Sequence, residues 1–323
     1  DSSMAIKTAI IGLGIMGRRM LEHMCLHEGY SPAFLWDPNP ENCRLAAIAA
    51  PGSEIMDSAE SAIRAADLVY LACPPVPRKA YALAAAAAGK AVFLEKPLGV
   101  DVEESTDLVR QLAESGVPTA VNFTQAAGAA LTQISAAATS GVLGDVVGAD
   151  IVVTYASWPR DWQKAADWLR FRDEGGMTRE VVSHFLFFSE RILGPLSLVW
   201  ARPSYPADKL LCETHMLARL EAADGRPVTV MASVGGAQPD RQELTIKGSK
   251  VSRRVTDFYR DAASDGGEFT PVDVDPADPR ATSLKAQLDD LLLLVNGKPN
   301  RLATPEEALR VQKLVEGMRG ARE

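Results

Sequence analysis

The chain has 323 residues and a formal net charge of −8, with 47% hydrophobic and 24% charged residues. This acidic balance argues against binding nucleic acid or anionic membrane through bulk charge, and no apolar run reaches the roughly 20 residues that cross a bilayer. Its four cysteines form no C-x-x-C pair, which argues against a disulfide framework or a cysteine zinc site. The N-terminal DSSMAIK lacks a signal-peptide pattern, so we expect a cytoplasmic protein.

Short apolar runs alternate with helical patterns over residues 1–124. The predicted strands are AIKTAII, AFLW, DLVYLACPP, AVFLEKP and PTAVNF. Each run is short and largely apolar, and the segments between them carry helical spacing, as in IMGRRMLEHMC and DVEESTDLVRQLAESG. This alternation predicts an α/β domain with a doubly wound parallel sheet, the Rossmann architecture.

The sequence GLGIMG follows the first predicted strand and opens the first predicted helix. Its glycines, Gly12, Gly14 and Gly17, fit the pattern G-x-G-x-x-G, although a plain turn would also explain isolated glycines. Between a strand and a helix, the pattern predicts a pyrophosphate site. The backbone of Gly12, Gly14, Ile15, Met16 and Gly17 would then meet the phosphates at the positive end of the helix.

Asp37 lies twenty residues after Gly17, at the end of the second predicted strand. A carboxylate there can accept hydrogen bonds from a ribose diol and would repel the 2′-phosphate of NADP. The nearest following arginine is Arg44, a helical turn or more away. We therefore predict NAD(H) as the cofactor in preference to NADP(H).

The stretch VFLEKPLGV carries a buried strand directly into Glu95, Lys96 and Pro97. Lys96 could be half of a structural ion pair with Glu95. It also stands at the carboxyl end of a parallel strand, the edge where such sheets bind ligands. Both interpretations remain open from the residues alone.

After residue 124 the alternation stops. VVGADIVVTY, LSLVWARP, CETHMLARLEA, PVTVMASV, QELTIKG and KVSRRVTDF read as consecutive strands, interrupted by one predicted helix near 176–193. We predict a second domain at 125–300, of α+β type with a large, mostly antiparallel sheet. A last helix at 301–323, opened by Thr304 as cap and Glu307 three residues later, is predicted to pack back on the first domain.

The segment GGMTREVVSH places Glu180 four residues before His184, so on a helix the two side chains share a face. A carboxylate beside an imidazole can fix the tautomer of the ring and stabilise its charged form. An isolated E-x-x-x-H would more simply be a surface ion pair. The preceding double glycine and the nucleotide-binding pattern favour a catalytic pair.

Together, the glycine loop, Glu95-Lys96-Pro97, the change of rhythm and GGMTREVVSH resemble the Gfo/Idh/MocA family of two-domain oxidoreductases over nearly the whole chain. The triad E-K-P is matched in full. Glu180 replaces the aspartate of the family's second motif, and His184 matches its histidine. Pro74 matches the proline of a T-P-N turn, where Cys73 and Pro75 replace threonine and asparagine, and Arg78 stands where a histidine is common.

The resemblance implies hydride transfer between NAD(P) and a sugar, cyclitol or related hydroxy or carbonyl compound. Lys96 and His184 would handle the proton, and Glu180 would orient the imidazole or bind a substrate hydroxyl. The further cofactor contacts would come from the backbone of Cys73, Pro74 and Pro75, and from Glu95, Lys96 and Asn122. No metal is expected, because no His, Asp and Glu cluster has ligand spacing.

Substrate contacts are predicted in the interdomain cleft from Trp162, Trp168, Arg170, Glu180 and His184, since tryptophan and arginine suit a hydroxylated or carboxylated ligand. The tryptophans could equally be core or interface residues. The resemblance also implies a homodimer or homotetramer formed through the second-domain sheet. Two other functions stay open: reduction of an imine or another carbonyl metabolite, and a non-catalytic NAD(P)-binding sensor.

Overall fold

The computed structural model describes residues 4–323, which group into two compact units. The first unit comprises the chain up to Phe123 together with Leu284–Leu309. The second unit comprises Thr124–Ser283 together with Arg310–Glu323.

The first unit is built on a parallel sheet of six strands: β1 (Ile6–Ile11), β2 (Tyr30–Trp36), β3 (Glu54–Ile55), β4 (Leu68–Leu71), β5 (Ala91–Glu95) and β6 (Thr119–Asn122). The helices between them are α1 (Ile15–Cys25), α2 (Pro40–Ala49), α3 (Ala59–Ala65), α4 (Pro75–Ala87) and α5 (Val102–Ser115). The strand order β3-β2-β1-β4-β5-β6 is that of the dinucleotide-binding Rossmann fold, which confirms the predicted doubly wound sheet.

The central strands of this sheet are wholly buried. Every residue of β4 and of β5 is buried, as is typical of strands covered on both faces. Strand β3 was not predicted, because its two residues are both exposed and too few to show a periodic pattern.

The second unit contains a sheet of eight strands: β7 (Val146–Tyr155), β8 (Leu196–Ser204), β9 (His215–Ala222), β10 (Pro227–Val234), β11 (Arg241–Gly248), β12 (Ser252–Thr256), β13 (Arg260–Ser264) and β14 (Thr270–Pro271). Its helices include α6 (Ala129–Thr139) and α7 (Ser183–Leu193). The strands pair antiparallel except for β7 with β10, which confirms the predicted mostly antiparallel sheet.

The segment KVSRRVTDF was predicted as a single strand, and this prediction is wrong. The segment forms a strand followed by a tight turn. Strand β12 ends at Thr256, and Asp257 and Phe258 take left-handed φ values of 50° and 68° before β13 begins. The alternating pattern of the segment gave no sign of this turn, because the turn contains no glycine or proline.

Two helices close the chain, α8 (Pro279–Val295) and α9 (Pro305–Arg319). The predicted cap of α9 is confirmed, since Thr304 Oγ1 accepts the Glu307 N–H at 3.1 Å and Glu307 Oε1 accepts the Thr304 N–H at 3.1 Å. Within the part of the chain that the structure describes, no helix combines the length and apolarity needed to cross a membrane.

The grouping of these helices differs from the predicted division at 300/301. Helix α8 belongs to the first unit from Leu284 onward, where Gln287 Nε2 donates to Asn122 Oδ1 at 3.0 Å and Tyr30 donates its hydroxyl proton to a carbonyl of α8. Helix α9 belongs to the second unit from Arg310 onward, where Glu316 pairs with Arg179 at 2.5 Å.

Candidate active site

The glycine loop joins β1 to α1 in a turn with very little room. Gly12 has a φ of +96°, and a Cβ on it would lie 2.5 Å from the Cys73 nitrogen. A Cβ on Gly17 would lie 1.9 Å from the Gly12 oxygen, whereas a Cβ on Gly14 would meet nothing within 4 Å. Gly12 and Gly17 therefore close the turn, and Gly14 faces the open side.

The first turn of α1 is left ready for an anion. Its N-cap, Gly14, supplies no side-chain hydrogen bond, and the turn carries no acidic residue. The N–H groups of Ile15, Met16 and Gly17 come too early in the helix to have an intrahelical acceptor. Free N–H groups, the helix dipole and the open space beside Gly14 fit the pyrophosphate of a dinucleotide.

Asp37 follows β2 and is tied to the glycine loop by its own side chain. One carboxylate oxygen, Oδ2, accepts the Leu13 N–H at 2.7 Å, and the other, Oδ1, accepts the Asn39 N–H at 2.7 Å. The carboxylate is thereby fixed beside the loop, at the carboxyl end of the second strand, where a ribose diol would be recognised in this fold.

Arg78 is buried in the first turn of α4 and joins two loops. Its guanidinium donates to the carbonyl oxygens of Glu95, at 2.9 Å, and of Pro97 in the lysine-bearing loop. It also donates to the carbonyl oxygen of Cys73, in the loop that precedes α4. The loop of Cys73, Pro74 and Pro75 and the loop of Lys96 are thus held by one side chain.

Glu95 lies fully inside the first unit and accepts hydrogen bonds from neighbouring strands. Its Oε2 accepts from the Tyr70 hydroxyl at 2.5 Å and from Asn122 Nδ2 at 2.9 Å. Burial raises the pKa of the Glu95 carboxyl, while these two donors and the charges of Arg78 and Lys96 lower it by less. Asn122 therefore has an internal role as a donor to Glu95, and its contact with the cofactor remains a prediction.

Lys96 directly follows β5 and retains only 8% exposure. The peptide bond from Lys96 to Pro97 is cis. On either side of this lysine, the carbonyl oxygens of Glu95 and Pro97 accept hydrogen bonds from Arg78. A buried lysine at the carboxyl end of a parallel strand, in the same sheet as the strand that leads into the glycine loop, is placed for chemistry as well as for packing.

The raised pKa of Glu95 makes stability depend on pH in a defined direction. The stabilisation contributed by the protonated Glu95 carboxyl is complete below the unfolded-state pKa. It is lost as the pH rises through the folded-state pKa. We expect the free energy of unfolding of wild type, minus that of Glu95→Gln, to fall as the pH rises from about 4 to about 8. Urea titrations across this range measure it. A difference that grows with pH for Glu95→Gln would contradict the assignment.

In the second unit, the predicted helix near 176–193 begins differently from the prediction. Thr178–Val182 is wound as a π-helical turn, and the α-helix α7 starts only at Ser183. The turn is preceded by Gly176, whose φ is +105° and whose Cβ would lie 2.3 Å from the Glu213 carboxylate. That carboxylate accepts the Thr178 N–H at 3.0 Å, so a buried glutamate occupies the space that Gly176 leaves. Such wide turns are frequent at functional sites.

Glu180 and His184 are each contacted by residues of the second unit. Gln163 Nε2 donates to Glu180 Oε1 at 3.4 Å, and Gln163 Oε1 accepts from Arg160 Nε at 2.7 Å. The His184 ring meets the ring of Phe258 edge-on, with centroids 5.6 Å apart. Phe258 belongs to the left-handed turn after β12, so an unusual backbone conformation sets a neighbour of the imidazole.

The predicted substrate residues lie on two short 3₁₀ turns. Trp162, on Asp161–Gln163, is next to Gln163 and keeps 38% exposure. Trp168 and Arg170 lie on Asp167–Arg170, where Arg170 pairs with Asp167 at 2.9 Å. Gln163, the sequence neighbour of Trp162, contacts Glu180, and the substrate contacts of Trp162, Trp168 and Arg170 remain predictions.

Family models match both units. Residues 6–123 match the model described as the oxidoreductase family with an NAD-binding Rossmann fold, GFO_IDH_MocA. Residues 131–254 match the GFO/IDH/MocA C-terminal domain. The chain belongs to the GFO/IDH/MocA oxidoreductase family. This confirms the resemblance read from the glycine loop, the E-K-P triad and GGMTREVVSH.

Curated relatives point to the same family. The oxidoreductase is 30% identical to inositol 2-dehydrogenase 1 of Mycolicibacterium vanbaalenii over 276 residues, which are 82% of this chain and 78% of that protein. It is also 33% identical to the inositol 2-dehydrogenase of Cereibacter sphaeroides over 124 residues, 35% of this chain and 36% of that protein.

Solved structures share the fold of the oxidoreductase. An oxidoreductase of Agrobacterium radiobacter in complex with NAD+, L-tartaric acid and magnesium has a TM-score of 0.84 and 18% identity, covering 97% of this chain and 95% of its own. A 3-ketoreductase of Actinomadura kijaniata in complex with NADP and TDP-benzene has a TM-score of 0.83 and 19% identity, covering 99% and 98%. At these identities the likeness establishes the fold alone.

Several residues that fix the candidate site residues by hydrogen bonds could not be predicted from the sequence. Tyr70 and Gln287 support Glu95 and Asn122, and Gln163 bridges Arg160 to Glu180. The sequence shows Arg78 only as a departure from the histidine that is common in the family, and gives no sign of the hydrogen bonds that it makes. Among residues 4–323, no cluster of three or more His, Cys, Asp or Glu side chains could hold a metal ion.

Proposed function

We propose that the oxidoreductase transfers hydride between a nicotinamide cofactor and a hydroxyl or carbonyl carbon of a sugar, cyclitol or related compound. The observation that carries the proposal is Lys96, which is buried at the carboxyl end of β5 and flanked by two residues whose carbonyl oxygens accept hydrogen bonds from Arg78. The inositol dehydrogenases among its relatives support a polyhydroxylated substrate.

The protein's task in this reaction is to orient the substrate and handle one proton. Bound NAD(H) accepts or supplies the hydride. As an alcohol is oxidised, the imidazole of His184 takes the hydroxyl proton, and the Lys96 ammonium stabilises the negative charge that develops on the oxygen. Glu180 orients the imidazole or accepts a hydrogen bond from a second hydroxyl. In reduction the same groups return the proton to the oxygen.

A substrate panel separates this function from the alternatives. Sugars, cyclitols and imines are offered with NAD and NADP in parallel, in both directions, and the absorbance of the reduced nicotinamide is followed. We expect turnover of a polyhydroxylated compound. Turnover of imines alone would establish the imine reductase, and a flat response with NADH binding intact would establish a nucleotide sensor.

We further propose a preference for NAD(H), on the evidence of Asp37. The carboxylate is held by the Leu13 and Asn39 N–H groups beside the loop, so it cannot easily withdraw from a 2′-phosphate. Asp37→Asn removes the charge and keeps an acceptor oxygen. We expect it to shift the ratio of kcat/KM for NADP over NAD upward by roughly tenfold or more. Asp57→Asn, at an exposed position, is the control, and an unchanged ratio in Asp37→Asn would contradict the preference.

We also propose that the second-unit sheet forms a homodimer or homotetramer. Trp200 on β8 and Leu217 on β9 are each 48% exposed, and Met231 on β10 stands opposite Leu217. Exposed apolar side chains on adjoining strands are typical of an interface. We expect Leu217→Glu to lower the mass measured by light scattering. Val142→Glu, at an exposed apolar position outside the sheet, should leave it unchanged; a wild-type mass in Leu217→Glu would contradict the interface.

A further inference from the structure

Two arginine side chains contact the same indole ring in the second unit. The guanidinium carbon of Arg160 lies 4.8 Å from the centroid of the Trp162 ring, and that of Arg280 lies 5.1 Å from it. Trp162 keeps 38% exposure, so part of the ring is open to a ligand. We call Arg160, Trp162 and Arg280 the Arg–Trp cluster.

Arg160 is a buried cation whose recorded hydrogen bonds go to neutral groups. It retains 7% exposure, and it donates from Nε to Gln163 at 2.7 Å and from Nη1 to Gln242 at 3.4 Å. The rings of Tyr155 and Trp158 lie 5.5 and 5.7 Å from its guanidinium carbon. Within residues 4–323 it forms no ion pair. A buried charge of this kind is costly unless an anion meets it.

Arg280 is half-buried and also lacks an ion pair within the described part of the chain. Its recorded contact there is the ring of Trp162. Other arginines of the second unit have carboxylate partners: Arg170 pairs with Asp167, Arg179 with Glu316 and Arg253 with Asp261. Arg172, Arg202 and Arg254 also lack a carboxylate partner among the described residues, and what sets Arg160 and Arg280 apart is that both contact Trp162.

The Arg–Trp cluster is one side chain away from the proposed reaction site. Gln163 accepts a hydrogen bond from Arg160 and donates one to Glu180 at 3.4 Å. A ligand that places a hydroxyl at Glu180 and His184 would present another substituent to the two guanidinium groups. Guanidinium groups recognise planar carboxylates by paired hydrogen bonds, and an indole face packs on a sugar ring.

We propose that the substrate is a polyhydroxy carboxylate, such as a uronate or aldonate, whose carboxylate is bound by Arg160 and Arg280 beside Trp162. The inference rests on the proposed function and deepens it by naming the substrate class. A carboxylate with one charge fits this surrounding better than a phosphate with two. Burial raises the pKa of the Tyr155 phenol, the charge of Arg160 lowers it by less, and the charges of Asp240 and Glu180 raise it further, so two carboxylates already act on this region.

Binding to the enzyme–NADH complex tests the proposal without requiring turnover. Calorimetry compares D-glucuronate, D-glucose and D-glucose 6-phosphate, which differ at one carbon. We expect glucuronate to bind at least about tenfold more tightly than glucose, because a hydrogen bond to a charged group is worth roughly that factor or more. Arg280→Met and Arg160→Lys should each weaken glucuronate binding about ten- to hundredfold and leave glucose binding within about twofold.

Arg160→Lys keeps the buried charge and removes only the forked donor, and thermal melting confirms that each variant is folded. Lys164→Met is the control, since it removes an exposed cation from the same loop that already pairs with Asp161. Its glucuronate affinity should match that of wild type.

Several results would overturn the proposal: equal affinity for glucuronate and glucose, no binding of glucuronate, or glucuronate binding that the two arginine variants leave intact. Tighter binding of glucose 6-phosphate would replace the carboxylate by a phosphate. Arginine-dependent binding of glucuronate with no oxidation of any sugar would overturn the proposed function and keep the ligand class. Oxidation of neutral polyols without glucuronate binding would keep the proposed function and overturn the carboxylate as ligand class.

Discussion

Lys96→Met should lower kcat by about a thousandfold while NADH still binds with wild-type affinity, because a positioned group that stabilises charge developing on the reacting oxygen typically contributes up to a factor of this size. Methionine keeps the length and apolar stem of the lysine, which is buried to 8% exposure, and removes only the ammonium group. Steady-state turnover of the best substrate from the panel measures the loss, and quenching of protein fluorescence measures NADH binding.

Lys79→Met provides the matched control. This lysine lies in the same unit, on α4, but forms ion pairs with Glu104 at 2.6 Å and Asp107 at 2.9 Å near the surface. We expect its kcat to stay within about twofold of wild type, since surface ion pairs contribute little. Full turnover by a folded Lys96→Met variant would show that the lysine is structural and would remove the central residue of the proposed mechanism.

Gly17→Ala should destabilise the protein by about 3 kcal/mol, because the added methyl group would overpack a closed turn. The new Cβ would lie 1.9 Å from the Gly12 oxygen and 2.8 Å from the Gly12 carbonyl carbon. Both are backbone atoms, so relief requires the strand-to-helix turn to open. Urea unfolding measures the change, and NADH binding should be lost with it.

Gly14→Ala separates cofactor binding from folding. A Cβ at Gly14 would meet nothing within 4 Å, and its φ of −71° suits an alanine, so we expect wild-type stability. The methyl group would stand on the open side of the loop, where the pyrophosphate approaches, and should weaken NADH binding by roughly tenfold or more. Wild-type stability in Gly17→Ala would contradict the observed packing. Wild-type NADH affinity in Gly14→Ala would contradict the assignment of the loop.

The first unit could be predicted well because its signals are local. The longer strands are largely apolar runs and each helix has its own periodicity, so the order of elements can be read along the chain. Strand β3 escaped notice because two exposed residues, Glu54 and Ile55, carry no pattern. The place of α8 could not be predicted either, since it depends on a hydrogen bond between Gln287 and Asn122, 165 residues apart.

The candidate site divides along the same line. Residues defined by backbone geometry, such as Gly12, Gly17 and the lysine after β5, stand in contiguous motifs. The groups that hold them come from distant segments and leave no motif, as with Tyr70 on Glu95. The left-handed turn that carries Phe258 to His184 has no glycine, so its sequence looks like the continuation of a strand.

The hydrogen bonds made by Arg78 have a consequence for which residues the loop of Cys73, Pro74 and Pro75 can carry. All three of its hydrogen-bond acceptors are main-chain carbonyl oxygens, at Cys73, Glu95 and Pro97. Every amino acid brings the same carbonyl, so a lineage can exchange the side chain at position 73 and keep the acceptor. Residue 78 acts through its side chain instead, and in this chain the guanidinium of Arg78 reaches both loops. The side chains of this motif can therefore change while the hydrogen bonds to its main chain stay the same.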